Sequence, residues 1–307
     1  MQFVQRACPV CSTSPAAESK YIRSKRDIHT LTDQEIRESW RGFRKESVFF
    51  DYVECSTCGT QFCAEYFSDS ELNNLYSAMG DNLAGEEIAA AESTQLGYLR
   101  QVANYKVPEG TWVDIGADIG LLAHGLGKYP KVGKVIAIEP NLQVRTELLR
   151  RLRGDDQVLD NVDQLPVGEA VDGVIGVHVL DHVLSPVGFL ARINDSLNPN
   201  GVVAFVTHSH SSLLRRLLRT KWAPYCLQHP QLYNRRSLKH LLSIAGFTDI
   251  HVKRTWNHIS VRKIARVGLS ILGLSQRWER VIPNFVIRIP LGNVIAIGRK
   301  QILNVKV

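Results

Sequence analysis

The stretch Val113-Asp-Ile-Gly-Ala-Asp-Ile-Gly120 decides the fold. An apolar run ends at Ile115 and Leu121-Leu-Ala-His follows Gly120, so the segment sits where a buried strand gives way to a helix. Glycine lets the backbone turn tightly and approach a ligand. The unpaired N–H groups of the following helix end offer hydrogen-bond donors to it. Nineteen residues beyond Gly120 a second run, Val135-Ile-Ala-Ile-Glu139, ends in an acid. A carboxylate there can accept hydrogen bonds from both hydroxyls of a ribose. The spacing is Asp-x-Gly-x-x-x-Gly, with Asp114 two residues before Gly116, and differs from the Gly-x-Gly-x-x-Gly of dinucleotide enzymes.

Working outward, short apolar runs alternate with helical stretches. Trp112–Ile115, Lys134–Ile138, Gly173–Val177, Val202–Thr207, Ile250–Arg254 and Asn293–Gly298 read as strands. Leu121–Lys128, Leu142–Arg153, Pro186–Leu197 and Arg236–Ala245 read as helices. This alternation predicts an α/β fold, a doubly wound and mostly parallel sheet covered on both faces. The long insert Asn257–Pro290 precedes the last run, which is expected to return antiparallel as an edge strand. Upstream, helices are expected over Asp69–Tyr76 and Glu86–Asn104, and Pro108-Glu-Gly marks the turn into the main domain.

Four of the six cysteines form two pairs, Cys8-Pro-Val-Cys11 and Cys55-Ser-Thr-Cys58-Gly59. Each pair can turn two thiolates toward one ion, and four thiolates make a complete structural zinc site. Residues 1–66 therefore read as a zinc-ribbon module and 67–108 as a helical connector. The main domain spans 109–307, with substrate-covering insertions at 208–235 and 257–290. The alternative for the pairs is a redox role. With 44% hydrophobic and 22% charged residues the chain of 307 is globular in composition, and no apolar run is long enough to span a bilayer. The first residues lack an apolar signal core, so a cytoplasmic location is expected. The net charge of +7 is uneven: residues 201–307 carry 18 Lys/Arg against 2 Asp/Glu, and residues 1–200 carry 19 against 28. The basic third points to an anionic substrate or surface, or to a solvated face.

The glycine turn resembles the first motif of class I S-adenosylmethionine-dependent methyltransferases, Asp/Glu-x-Gly-x-Gly-x-Gly, with Asp118 at the middle glycine. Gly173-Val-Ile-Gly-Val-His-Val-Leu-Asp-His-Val183 resembles the family's fourth strand and "HVLEHV". Asp195-Ser-Leu-Asn-Pro-Asn-Gly-Val-Val is similar to its "LKPGG" turn, and Asn293-Val-Ile-Ala-Ile-Gly-Arg-Lys to its last strand. The likeness covers roughly residues 110–300 and implies a Rossmann-like, seven-stranded sheet. It implies that Asp114, Gly116, Ala117, Asp118 and Gly120 hold the methionine part of S-adenosylmethionine, Glu139 with Pro140 the ribose, and Asn161 with Val162 the adenine, with His178 beside them. Phe50-Asp-Tyr-Val-Glu-Cys-Ser-Thr-Cys-Gly-Thr-Gln-Phe followed by Ser70-Glu-Leu-Asn-Asn-Leu-Tyr resembles the "CxxCGLVF…SEEELxxxY" of zinc-ribbon methyltransferases from sugar and natural-product pathways. In that likeness Cys8, Cys11, Cys55 and Cys58 hold Zn²⁺.

Ligands of open α/β sheets lie beyond the carboxyl ends of the strands, which puts His178, Asp181 and His182 after strand four and His208 and His210 after strand five near the chemistry. A neutral imidazole suits a general base. Asp181 and His182 also read as caps of the next helix, and His208 and His210 share a face if the chain stays extended. Trp222-Ala-Pro-Tyr-Cys-Leu-Gln-His-Pro-Gln-Leu-Tyr233 with Ser237-Leu-Lys-His-Leu-Leu-Ser-Ile-Ala-Gly-Phe247 resembles "W…EHxxxFSxxSLxxLLxxAGF", which covers the family's substrate pocket. By that likeness His229 is the first candidate base, with His178 and His208 beside it. The family's Glu is Gln228 here; an amide is no base, which tells against C-methylation and leaves O-methylation open. A basic apolar helix over Val261–Leu274 reads as core-packed, or as a lid, a dimer contact or a surface element on anionic lipid. The expected acceptor is a small polar molecule, a phosphorylated or lipid-linked sugar included, and nucleic acid is not expected because the ribbon segment is not basic. Two competing readings remain: a nicotinamide-dependent oxidoreductase, and an inactive methyltransferase-like zinc protein if Asp118 spoils the turn.

Overall fold

The computed structural model describes residues 1–16, 18–40, 48–77, 87–168, 170–271 and 282–301. Seven strands build the central sheet: β1 (Gly110–Ile115), β2 (Val132–Ile138), β3 (Gln157–Leu159), β4 (Val171–Val177), β5 (Leu197–His208), β6 (Phe247–Arg254) and β7 (Asn293–Lys300). Their order across the sheet is β6-β7-β5-β4-β1-β2-β3. The β1, β2, β3, β4 and β5 pairings are parallel, and β7 runs antiparallel to both of its neighbours. The last strand is thus not at the edge, as the sequence suggested, but lies between β5 and β6.

Strand side chains alternate between two packed faces. Val113, Val174, Val203 and Phe205 enter one core with Leu190, Ile193, Leu238 and Leu241 of the helices Pro186–Ser196 and Arg235–Ile244. Trp112, Ile175, Ala204 and Val206 enter the other with Tyr98, Leu99 and Leu122 of the helices Ile88–Ala103 and Leu121–Gly127. Burial on both faces is why these strands are continuous apolar runs. Each large side chain so buried contributes about 1.5–3 kcal/mol.

Helix bounds follow local chemistry. The helix expected from Leu142 begins at Arg145, because Asn141 first closes a turn by accepting from the Gln143 N–H. Glu86, the expected start of the preceding long helix, and residues 272–274 of the expected basic helix lie outside the described residues. That basic helix forms over Val261–Ile271, but none of its residues 261–269 is buried, so it is not core-packed. It leaves the hairpin of Asn257–Ser260 with Val286–Ile289.

The N-terminal region makes its own four-stranded sheet, and one strand comes from elsewhere. Tyr21–Ile22, Tyr52–Glu54 and Gln61–Cys63 are joined by Gln231–Leu232. The pairing runs across the boundary expected near residue 66. Phe3, Trp40, Phe50, Tyr66 and Phe67 pack around it, mostly edge to face.

Candidate active site

The turn after β1 keeps its shape despite the aspartate. Gly116, Asp118 and Gly120 all have positive φ, at 70°, 49° and 83°. Asp is among the few side-chain-bearing residues that visit this region readily. A Cβ on Gly120 would come within 2.8 Å of Leu148, so the close approach of the next helix also requires glycine. Glu139 ties the turn to β2. Its Oε2 accepts from the Asp118 N–H at 2.8 Å and its Oε1 from the Asn141 N–H at 2.8 Å. Each oxygen keeps a further acceptor lone pair. Burial pushes the Glu139 carboxyl up, against those two backbone donors. Asp114 is 2% exposed, and its Oδ2 has no hydrogen-bond partner among the described residues. Burial, aided by the Glu139 and Asp118 charges and opposed by a backbone bond from Ala123, pushes it up to about 8. A buried carboxylate oxygen without a partner is a place for a cation. Asn161 caps the turn Val162–Gln164 by accepting from the Asp163 N–H.

At the carboxyl ends of β4 and β5 four imidazoles surround one carboxylate. The parallel register pairs Val177 with Val206 and so sets His178 beside His208. Their rings stack at 4.1 Å between centroids, and His178 takes the left-handed backbone, φ 56°. Asp181 is fully buried and accepts from the Thr207 hydroxyl, from the His208 N–H at 3.1 Å and from His208 Nδ1 at 2.8 Å. His178 Nδ1 lies 3.7 Å from the same carboxylate. Burial works against charge on Asp181, yet the His178 and His208 imidazoles hold it well below the ordinary carboxylate range. Because an ionised carboxylate only accepts, the His208 proton sits on Nδ1 and the lone pair on Nε2. Burial, with the His178 ring beside it, pushes His208 down, so it is neutral near pH 7. The ligand atoms of His178, Asp181 and His208 are within 4.8 Å of one another, and three acceptor sites of Asp181 are already taken by these hydrogen bonds.

His229 lies behind this pair. It is fully buried, 5.1 Å from His208 and 4.6 Å from His182 between ring centroids, with Nδ1 held 2.8 Å from the Pro224 carbonyl. Burial, reinforced by His208, pushes it down to about 4. Neither Asp181 nor His182 caps a helix: His182 Nδ1 sits between Tyr76 and the Gln228 carbonyl. Nor do His208 and His210 share a face, because β5 ends at His208 and His210 turns to the Gly59 carbonyl at 3.0 Å. The role of Asp181 in orienting His208 was not visible beforehand, since two strand ends must meet for it to exist.

The two cysteine pairs converge. Cys8 and Cys58 sulfurs are 3.5 Å apart, and Cys11 and Cys55 sulfurs 3.4 Å. Tetrahedral thiolates on zinc at about 2.3 Å would be about 3.8 Å apart, so the four residues fit a Zn²⁺ ion. The pairs are built alike. Ser12 N–H bonds the Cys8 carbonyl and Gly59 N–H the Cys55 carbonyl, and both Ser12 and Gly59 have positive φ. The second of these knuckles also grips the loop that carries His229. The Gly59 carbonyl receives His210 and the Asn234 amide, the Tyr52 hydroxyl donates to the His229 carbonyl, and Cys63 N–H to the Pro230 carbonyl.

With this geometry in hand, comparison with known proteins is decisive for the class. Residues 91–252, more than half of the chain, match the family profile of the methyltransferase domain. The chain belongs to this family. The methyltransferase shares its fold with a *Haloferax volcanii* complex of the Trm112 methyltransferase activator and a methyltransferase, at 13% identity, 71% of this chain, 96% of that one and TM-score 0.50. S-adenosylmethionine-dependent methyltransferases of *Thermotoga maritima* (18% identity, 69% and 90% covered, TM-score 0.46) and *Archaeoglobus fulgidus* (15%, 76% and 100%, 0.46) also align with it. No curated protein matches. Membership in the methyltransferase family sets aside the nicotinamide reading.

Proposed function

We propose that the methyltransferase moves a methyl group from S-adenosylmethionine to a hydroxyl of a small polar acceptor, of the sugar or natural-product kind, with His208 as general base. The observation that carries this is the 2.8 Å bond between His208 Nδ1 and buried Asp181. It leaves the second ring nitrogen unprotonated at neutral pH on a side chain that is 13% exposed. When bound, the cofactor supplies an electrophilic methyl on a sulfonium and leaves as a neutral thioether. His208 Nε2 takes the acceptor proton as the new O–C bond forms, and Asp181 steadies the imidazolium. His178, stacked on His208, walls the reacting zone. His229, fully buried behind them, acts through His208 and not on the acceptor.

The cofactor is held by the turn from Gly116 to Gly120. Glu139 offers its remaining lone pairs to the ribose beside Pro140, Asn161 and Val162 border the adenine, and Asp114 answers the cationic methionine end. Zn²⁺ on Cys8, Cys11, Cys55 and Cys58 is structural, because four cysteines leave no open position.

Calorimetric titration tests the reading. S-adenosylmethionine and S-adenosylhomocysteine are expected to bind and NAD not to. Pairing with the cofactor's ammonium pulls Asp114 down from about 8, so binding at pH 7 releases a proton and affinity rises toward pH 8. Heats measured in buffers of different ionisation enthalpy read that proton directly. Glu139→Ala should weaken binding about tenfold to hundredfold. Binding of NAD alone would overturn the assignment, and unchanged affinity in the Glu139 variant would remove that acid from the site.

A further inference from the structure

The carboxyl end of the sheet, where the imidazoles lie, is bordered by basic and apolar surface that the chemistry above does not use. A groove of about 480 Å³ is lined by Arg100, Lys253, Arg254, Trp256, His258 and Arg288, with Gly97, Gln101 and Asn104 completing it and no acid among them. Beside it Trp256 is 42% exposed, Phe285 54% and Val286 47%. The helix Val261–Ile271, whose residues 261–269 all keep solvent contact, leaves the same hairpin. At the same end, the helix Leu213–Leu218 after β5 exposes Leu213 and Leu217 next to Arg216 and Arg219.

We propose that this end of the methyltransferase docks on an anionic phospholipid bilayer. Phosphates sit in the basic groove, and Trp256, Phe285 and Leu217 enter the headgroup boundary. Cations attract the surface, and aromatic and aliphatic side chains embed in it. The same groove charge would suit a polynucleotide, but two features select the bilayer. Arg288 lies 5.1 Å from the centre of the Trp256 ring and occupies a face on which a base would stack. Exposed leucine and valine give a polynucleotide nothing to stack on and a bilayer apolar surface to take up. The surface is linked to the reaction zone through two buried residues: the Thr255 N–H, next to Trp256, bonds the Asn293 carbonyl, and the Asn293 amide is 3.4 Å from His178. Docking would therefore present a lipid-borne hydroxyl to the site, a consequence that rests on the methyl-transfer reading; the docking itself does not.

The test is co-sedimentation with vesicles of phosphatidylglycerol and phosphatidylcholine, against pure phosphatidylcholine, with polyuridylate as competitor. Binding to the anionic vesicles is expected to be at least about tenfold stronger and to weaken with salt. The pair Arg254→Glu with Arg288→Glu, and separately Leu217→Ser with Phe285→Ser, should each lose about tenfold. Cofactor titration of the same variants should be unchanged, which shows that they fold and keeps a failure of docking distinct from a failure of the methyl-transfer reading. Equal partition onto both vesicles, or no partition, overturns the proposal. So does a preference for polyuridylate that the apolar pair leaves untouched.

Discussion

Replacing Cys58 by Ser, or stripping the metal with a chelator, is expected to cut methyl transfer about a hundredfold or more while cofactor affinity changes little. The magnitude follows from what the knuckles support. A structural zinc site contributes about 10–16 kcal/mol in small zinc domains, as much as the whole stability of an ordinary fold. Without the ion, four buried or half-buried thiols at 3.4–3.5 Å have no reason to stay together. Gly59 then releases His210 and Asn234, and the strand Gln61–Cys63 loosens from Gln231–Leu232. The loop with His229 loses its anchor, and a misplacement of about 1 Å at a reacting centre can cost a hundredfold. The cofactor turn stands on β1 and β2, which pair with each other and pack one face, through Trp112 and Val135, against Tyr98 and Leu122; only their other face shares a core with Cys8, Cys55 and Cys58. Metal analysis of the purified protein should give about one zinc per chain. A metal-free protein that is folded and fully active would sink the assignment.

His208→Ala should lower kcat about 10²- to 10⁴-fold, the range of a single general base, with cofactor affinity intact. Asp181→Asn should come close to it, because an amide can offer an N–H to Nδ1 and reverse the tautomer. The pH profile separates this from a packing role. His208 is held below its ordinary value by burial, so it loses its neutral form at lower pH than an exposed imidazole would. kcat at saturating cofactor is expected to fall on the acid side at a pH below the ordinary imidazole range, as the base takes a proton before reaction. Stability has the same sign. His229, at about 4 when folded, binds fewer protons than in the unfolded chain between pH 4 and 6.5, so the fold weakens as pH drops through that window. A His208→Ala variant with normal kcat and an unchanged profile would move the base elsewhere.

The strands and the cofactor turn could be read from the sequence because their signal is local: apolar runs closed by glycine and an acid. Where β7 sits is also written in its residues, though less plainly. Val294-Ile-Ala-Ile is apolar on both faces, as an interior strand must be, whereas Phe247–Arg254 alternates buried residues with Asp249, His251 and Lys253, the pattern of an edge. Reading β7 as the edge gave weight to its being last in the chain. The Asp181–His208 bond had no local signal, because it exists only once β4 and β5 are in register. His229 stood out by resemblance, and only its burial shows that it lies behind His208. The knuckles were legible from their spacing, but a two-residue strand such as Gln231–Leu232 is too short to announce its partner.

That short strand has a consequence for the order in which the protein is made. Gln61–Cys63 leaves the ribosome early, and its outer partner follows only after most of the catalytic sheet, roughly ten to thirty seconds later at ordinary rates of synthesis. Through that interval the segment ahead of the catalytic sheet holds five thiols, Cys63 among them, and an open strand edge without its outer partner. The four-cysteine segment precedes the catalytic sheet in the chain and is completed after it, so early capture of an ion by its thiols would keep the waiting strand from pairing with the wrong neighbour.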